Sequence, residues 1–218
     1  MQDGGIVGSG FFAGSGSEVN ISGGTTGSPL RAFNAEVNIS GGSIENDFSA
    51  TSGTSINIDG GSIGDGFNAG IVSEVNISGG SIGNNFVVAS SSEINIDGGS
   101  IGDDFLVGIV SEVNISGGSI SNDFFVDSTS AINIFGTDFL LNGAPLPSLI
   151  PNAPFVIDDL NSLPLSATLL DGSTFTVAPN NIDPTGTSLT ITLVVPEPSS
   201  ILLLLATGGG LLARRRRI

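Results

Sequence analysis

The sequence contains no Cys, no His, no Trp and no Tyr, and its five basic residues are all Arg, so Lys is missing as well. Each absence removes a class of chemistry. Without Cys there is no disulfide framework and no zinc–thiolate site. Without His and Lys, Ser-His-Asp and Cys-His nucleophilic sites, imidazole-bound zinc and Schiff-base lysines cannot be built. Charge is sparse at 12% and one-sided, with 21 acids against those 5 bases and a net charge of −16. Such a surface repels nucleic acid and anionic lipid headgroups and attracts cations, so no nucleic-acid partner is expected. What the chain does have is Gly (33 residues), abundant Ser, Thr, Asn and Asp, and an apolar supply of Ile, Val, Leu and Phe. The mean hydropathy of +0.36 opposes disorder, and the composition favours short strands and tight turns. An all-β fold is expected.

The dominant signal is internal repetition. "SEVNISGGSIGNNF" at 73 to 86 recurs as "SEINIDGGSIGDDF" at 92 to 105 and "SEVNISGGSISNDF" at 111 to 124. Its central Asn falls at Asn20, Asn38, Asn57, Asn76, Asn95, Asn114 and Asn133, a spacing of 18 once and 19 thereafter. A second row is Phe11, Leu30, Phe48, Phe67, Phe86, Phe105 and Phe124, and a third runs from Ile44 to Ile120. A 19-residue period is too short for a helix pair but suits one coil of a parallel β-helix, or β-solenoid, with two or three short strands per coil. In "EVNIS" the pair Val75 and Ile77 alternates with Glu74, Asn76 and Ser78, which sends the apolar pair inward. The Gly79-Gly80 pair turns the corner, and Ile82, Phe86 and Val88 return to the core. Stacked coils then bring each inward residue about 4.8 Å from its equivalent, making ladders of like side chains.

Three outward rows flank this core. The Asn row is expected to bond amide to amide along the stack, a structural role that competes with ligand binding. Beside it, Glu74, Glu93 and Glu112 repeat at one position, with Glu18 and Glu36 earlier in the chain. Carboxylates ~5 Å apart repel by roughly 1 kcal/mol even in water, so the row should recruit cations such as calcium or titrate above the ordinary Glu range. Ser40, Asp59, Ser78, Asp97 and Ser116 alternate on the other flank, giving a 38-residue superperiod echoed by "GIV" at 70 to 72 and 108 to 110. The acidic turns before each Phe, such as "GDD" at 102 to 104, read first as turn chemistry and second as calcium loops. No cofactor is required by any of these patterns. The "NIS" triplets match a glycosylation sequon as a by-product of the repeat.

The periodicity divides the chain into residues 1–136, the repeats; 137–194, with most of the prolines and a hairpin pattern around Asp171-Gly172; and 195–218, an apolar segment ending in bases. The repeats open in the middle of a coil, so a longer, N-terminally extended chain is expected. Residues 137–194 are expected to cap the last coil or to form a small β unit beside it.

The tail reads "VPEPSSILLLLATGGGLLARRRRI". Residues 199–213, apolar or small, would make ~22 Å of helix against a hydrocarbon core of ~30 Å, a short span that snorkelling arginines and local thinning can accommodate. Arg214, Arg215, Arg216 and Arg217 then fall on the cytoplasmic side. Pro196, Glu197 and Pro198, the apolar segment and the four terminal arginines together resemble the PEP-CTERM sorting signal of bacterial exported proteins. The resemblance implies a short membrane-sorting helix and cleavage near Pro-Glu-Pro by an exosortase at the inner membrane, in organisms that make extracellular polysaccharide. It describes a bacterial envelope, surface or secreted location with a transient anchor.

For the body, two classes compete. The favoured one is a non-catalytic surface or extracellular-matrix component, structural or adhesive. The alternative is a polysaccharide-binding or polysaccharide-degrading β-helix. A lyase of that architecture needs a base and an enolate stabiliser, and Arg31 is the only basic residue in the body. A two-carboxylate glycosidase could use a pair such as Asp103 and Asp104, yet the acids lie on repeating rows and a catalytic site breaks symmetry. A flat binding face would use the Asn row, with a glycan fitting better than ice because Thr ladders are missing.

Overall fold

The structure, a computed structural model, describes residues 5–121, 123–127, 129–146, 149–157, 164–177 and 188–195. It is an all-β stack of about 19-residue coils, forming a β-solenoid of about seven turns. Each coil contributes a long strand and a short one. The long strands are Glu18–Thr26, Glu36–Ile44, Ser55–Ile63, Glu93–Ile101, Glu112–Ile120 and the start of Ala131–Leu141. In the Asn76 coil the same stretch is split into Glu74–Ile77 and Ser81–Ile82. The short strands are Phe12–Ala13, Arg31–Phe33, Ser49–Thr51, Asn68–Ala69, Val87–Val88, Phe105–Val107 and Phe124–Val126, which form a separate seven-stranded sheet.

Pairing between coils is parallel and in repeat register, with Glu93 opposite Glu112, Asn95 opposite Asn114 and Phe105 opposite Phe124. The long strand bends at its Gly-Gly pair, where the register slips between Ile96 and Ser100, so every coil presents three faces. The bend needs glycine for two reasons. Gly80 has φ +75°, and a Cβ there would lie 2.8 Å from the carbonyl carbon of Gly60 in the preceding coil.

Alternation along these strands fills the interior. Val75, Ile77, Ile82, Phe86 and Val88 of one coil are all buried and stand in line with their equivalents above and below. Consecutive rings from Phe48 to Phe124 stack face to face, with centroids 4.7, 4.7, 4.8 and 5.1 Å apart. The ring spacing is the strand spacing, because each ring rides on its own strand. Leu30 is buried at one end of this row, and Phe11 packs against the core half-exposed.

The far end is closed by the second region. Ser188–Leu193 adds in parallel to Ala131–Leu141, with Thr190 opposite Asn133, and Pro154–Ile157 pairs antiparallel on its other side. The hairpin Leu165–Leu169 with Thr174–Val177 pairs antiparallel to the outer half of Ala131–Leu141. Its Phe175 meets Phe124 edge-on at 6.1 Å and 65°, which ends the stack with a T-shaped contact. No helix among the described residues is long and apolar enough to cross a membrane. The sorting helix expected within 195–218 lies, apart from Val195, outside the described residues.

Candidate functional site: outward ladders and the sorting tail

The outward Asn row is a continuous amide ladder. Nδ2 of Asn38, Asn57, Asn76, Asn95, Asn114 and Asn133 each donates to Oδ1 of the Asn one coil earlier, at 3.0, 2.8, 3.0, 2.9, 2.9 and 2.8 Å. In four coils the Asn Nδ2 also bonds the carboxylate two residues earlier in its own strand. Asn20 donates to Glu18 at 2.8 Å, Asn38 to Glu36 at 3.1 Å, Asn76 to Glu74 at 3.1 Å and Asn95 to Glu93 at 3.3 Å. In the last coil Ala131 stands where the Glu would be, and Asn133 reaches across to Glu112 at 2.9 Å. The Glu row therefore accepts from the Asn row, so the two form one network. Among the described residues no group of three or more carboxylates comes together in a way that could hold a metal ion.

The acidic turns also bond between coils. The side-chain oxygens of Asn46, Asp65 and Asn84 accept the backbone N–H of Asp65, Asn84 and Asp103 in the following coil, at 3.0, 2.7 and 2.9 Å. Asp104 sits one residue on with φ +60°, a left-handed position that Asn, Asp and Gly tolerate best. Ser78 and Ser116 donate to Asp59 and Asp97 one coil back, at 2.7 and 2.5 Å. Alternation thus turns like-charge repulsion into a hydroxyl–carboxylate bond.

A buried row was missed in the sequence. Thr54, Ser73, Ser92, Ser111 and Ser130 are buried at the corner before each Glu position. Ser92, Ser111 and Ser130 Oγ each accept the backbone N–H of Ser73, Ser92 and Ser111, at 3.2, 3.3 and 3.1 Å. Ser92 and Ser130 donate onward to the carbonyls of Gly70 and Gly108. The signal was available as a Ser one place before Glu74, Glu93 and Glu112, but it resembles turn composition. Only Ser73 lacks a side-chain partner: Thr54 Oγ donates to the Thr51 carbonyl, which occupies the place that the 22-residue offset would assign to Ser73. Ser111→Ala is expected to cost about 1–3 kcal/mol by orphaning a buried N–H, while Ser73→Ala should be neutral or slightly stabilising. Urea unfolding of the two variants checks the contrast.

Asp171, at the tip of the closing hairpin, pins it to the array. One carboxylate oxygen accepts the Gly118 N–H at 2.7 Å, the other accepts Ser173 N–H and Oγ–H at 2.8 and 2.5 Å, and Leu170 N–H donates to the Ser116 carbonyl at 2.8 Å. Slight burial acts to raise the carboxyl's pKa, but the bonds from Ser173 and Gly118 outweigh it and hold the group below its ordinary value of 3.8. A lowered folded-state pKa means the contribution is complete above the unfolded value and fades as pH falls through the folded one. The stability difference between the parent and Asp171→Asn should therefore be constant at neutral pH and shrink below pH 3.8 in pH-stepped thermal melts.

Arg31 is exposed on the short-strand face, in register with Phe12 and Ser49, and is therefore not gathered with any acid pair. A surface groove of about 510 Å³ is lined by Ser28, Ser43, Glu45, Asn46, Asp47 and Ser62 among others, without Arg31. Pro196, Glu197, Pro198 and Arg214 to Arg217 lie outside the described residues, and their reading rests on sequence alone. Residues 194–217 match the PEP-CTERM protein-sorting motif. The PEP-CTERM motif implies an exported protein sorted by an exosortase at the membrane and associated with the cell envelope. It covers the tail only, so it carries no statement about the body. Neither a curated protein nor a solved structure matches the chain.

Proposed function

We propose that the protein is a non-catalytic structural or adhesion component of the cell surface or extracellular matrix, delivered by its PEP-CTERM signal. The observation that supports this best is the use of the outward polar rows. The Asn, Glu, Ser/Asp and turn rows, which are where a catalytic pair would have to come from, hydrogen-bond along the stack coil after coil. Such rows give an elongated, rigid body with a repeated surface. No cofactor is called for. The tail serves delivery: the apolar segment crosses the inner membrane once, the arginines stay on its inner face, and cleavage near Pro196, Glu197 and Pro198 removes them. Loss of four positive charges takes the net charge from −16 to near −20 in the mature form. Mass spectrometry of the exported protein should find a C-terminus close to this motif; an intact "RRRRI" end would refute the processing step.

The second reading is polysaccharide binding, favoured by the groove around Ser43, Asn46, Asp47 and Ser62, which offers hydroxyl, amide and carboxylate groups to a sugar. Glycan arrays and reducing-end assays on the full chain separate the readings. Release of reducing ends would overturn the non-catalytic one, and array binding lost in Asn46→Ala would favour the second.

A further inference from the structure

One edge of the short-strand face has an alternation that neither the fold nor export requires. At the turn leaving this face, the Asn57 and Asn95 coils expose Ile71-Val72 and Ile109-Val110, at 52, 64, 43 and 61%. Val72 and Val110 are also left-handed, with φ +56° and +58°. A β-branched residue is disfavoured there, and the equivalent position holds Asn34, Gly53, Ser91 or Thr129 in the other coils, of which only Thr129 is β-branched and none is apolar. Exposed, apolar and strained side chains at every second coil cost stability and solubility without supporting the core. The result is an edge of large and small turns in strict alternation: Ser52-Gly53, Ile71-Val72, Ser90-Ser91, Ile109-Val110.

We propose that this edge is where a second copy of the chain docks, side by side and antiparallel. A twofold axis between the Asn57 and Asn76 coils sets each large turn of one copy against a small turn of the other: Ile71-Val72 into Ser90-Ser91, and Ile109-Val110 into Ser52-Gly53. A contact of this kind is isologous and self-complementary. Charge selects the same register. The Glu row begins two residues past these turns, with Glu74 after Val72 and Glu112 after Val110, and holds the contact to the other side of the edge, where the outward residues of the short strands from Phe12 to Phe125 include no carboxylate and include Arg31, the only basic residue among the described residues. The axis that matches the turns also brings the Asn20 coil against the Asn114 coil, and so Arg31 toward Asp127 of the partner copy at both ends of the contact. Phe33, exposed at 46%, would be covered there too. The contact is narrow, so it belongs with the weak interfaces and forms at high local concentration. This inference stands apart from the proposed function, since it is a solution property of the body wherever the protein resides.

Sedimentation equilibrium of the full chain in mild detergent, from micromolar to millimolar, tests it. A reversible monomer–dimer equilibrium is expected, weakened at least tenfold by Arg31→Glu and by Asp127→Arg separately, and restored when those two variants are mixed. Val110→Gly should weaken the dimer as much while raising the melting temperature of the monomer, an opposition that a purely structural role would not produce. A chain that stays monomeric throughout, or association that Arg31→Glu and Val110→Gly leave unchanged, overturns the proposal, the latter because it would belong to the apolar tail or another face.

Discussion

Phe86→Ala should lower the unfolding free energy of the repeat region by about 3–5 kcal/mol, the range for emptying a fully buried aromatic site. The magnitude follows from the position of the ring. Phe86 is 0% exposed and stacks on Phe67 and Phe105 at 4.7 and 4.8 Å, so truncation removes two ring contacts and leaves a gap that the stack cannot close. Closing it would require neighbouring coils to approach nearer than their backbone hydrogen bonds allow. Phe125→Ala makes the control, because that ring points outward at 41% exposure on the neighbouring position of the same kind of strand. It should cost under about 1 kcal/mol. Guanidinium unfolding followed by far-UV circular dichroism measures both, and equal effects would mean that the aromatic row is not the core.

Gly80→Ala is expected to be comparably damaging, although it adds only one methyl group. The left-handed conformation at φ +75° costs about 1–2 kcal/mol for any residue with a Cβ. The new atom would also lie 2.8 Å from the Gly60 carbonyl carbon and 2.9 Å from two backbone oxygens, and overpacking of this kind costs about 1–3 kcal/mol more. The sum is about 2–5 kcal/mol, and the clash is with backbone that has no rotamer to change. Gly172→Ala separates the two terms: its φ is +85° but nothing lies within 4 Å of the added carbon. That variant should lose only the conformational part, about 1–2 kcal/mol. Thermal melts of the pair would show whether contact between coils or local backbone preference makes glycine necessary at the corner.

Both effects trace back to a spacing visible in the chain. The 19-residue recurrence of Asn, Phe and Ile requires equivalent residues to stack, because no other arrangement buries Val75, Ile77, Ile82 and Phe86 of every repeat at once. The inward and outward assignments follow from strand alternation. The outward Asn row was legible for the same reason, since an amide that recurs at strand spacing has its own copy as nearest partner.

The Glu row was harder to read. Sequence shows like charges in register and so suggests bound cations; the structure adds that Glu18, Glu36, Glu74 and Glu93 accept from the Asn two residues along the same strand, and Glu112 from Asn133 in the next coil. The buried Ser row was hidden because Ser before a strand looks like turn chemistry, and burial of a hydroxyl is decided by which way the corner folds. The contact of Phe175 with Phe124 joins residues 51 positions apart with no periodic relation between them.

By itself, then, the sequence determined the coil, the identity of its core ladders and the address carried in its tail, because each of these is a local pattern repeated or a motif read in place. The tertiary structure alone decided how the open end of the stack is closed, which Asn each Glu of the row accepts from, which hydroxyls are buried, and which edge carries strained apolar turns. Those depend on distances between segments that share no period, and a one-dimensional pattern holds no information about them until the chain has folded back on itself.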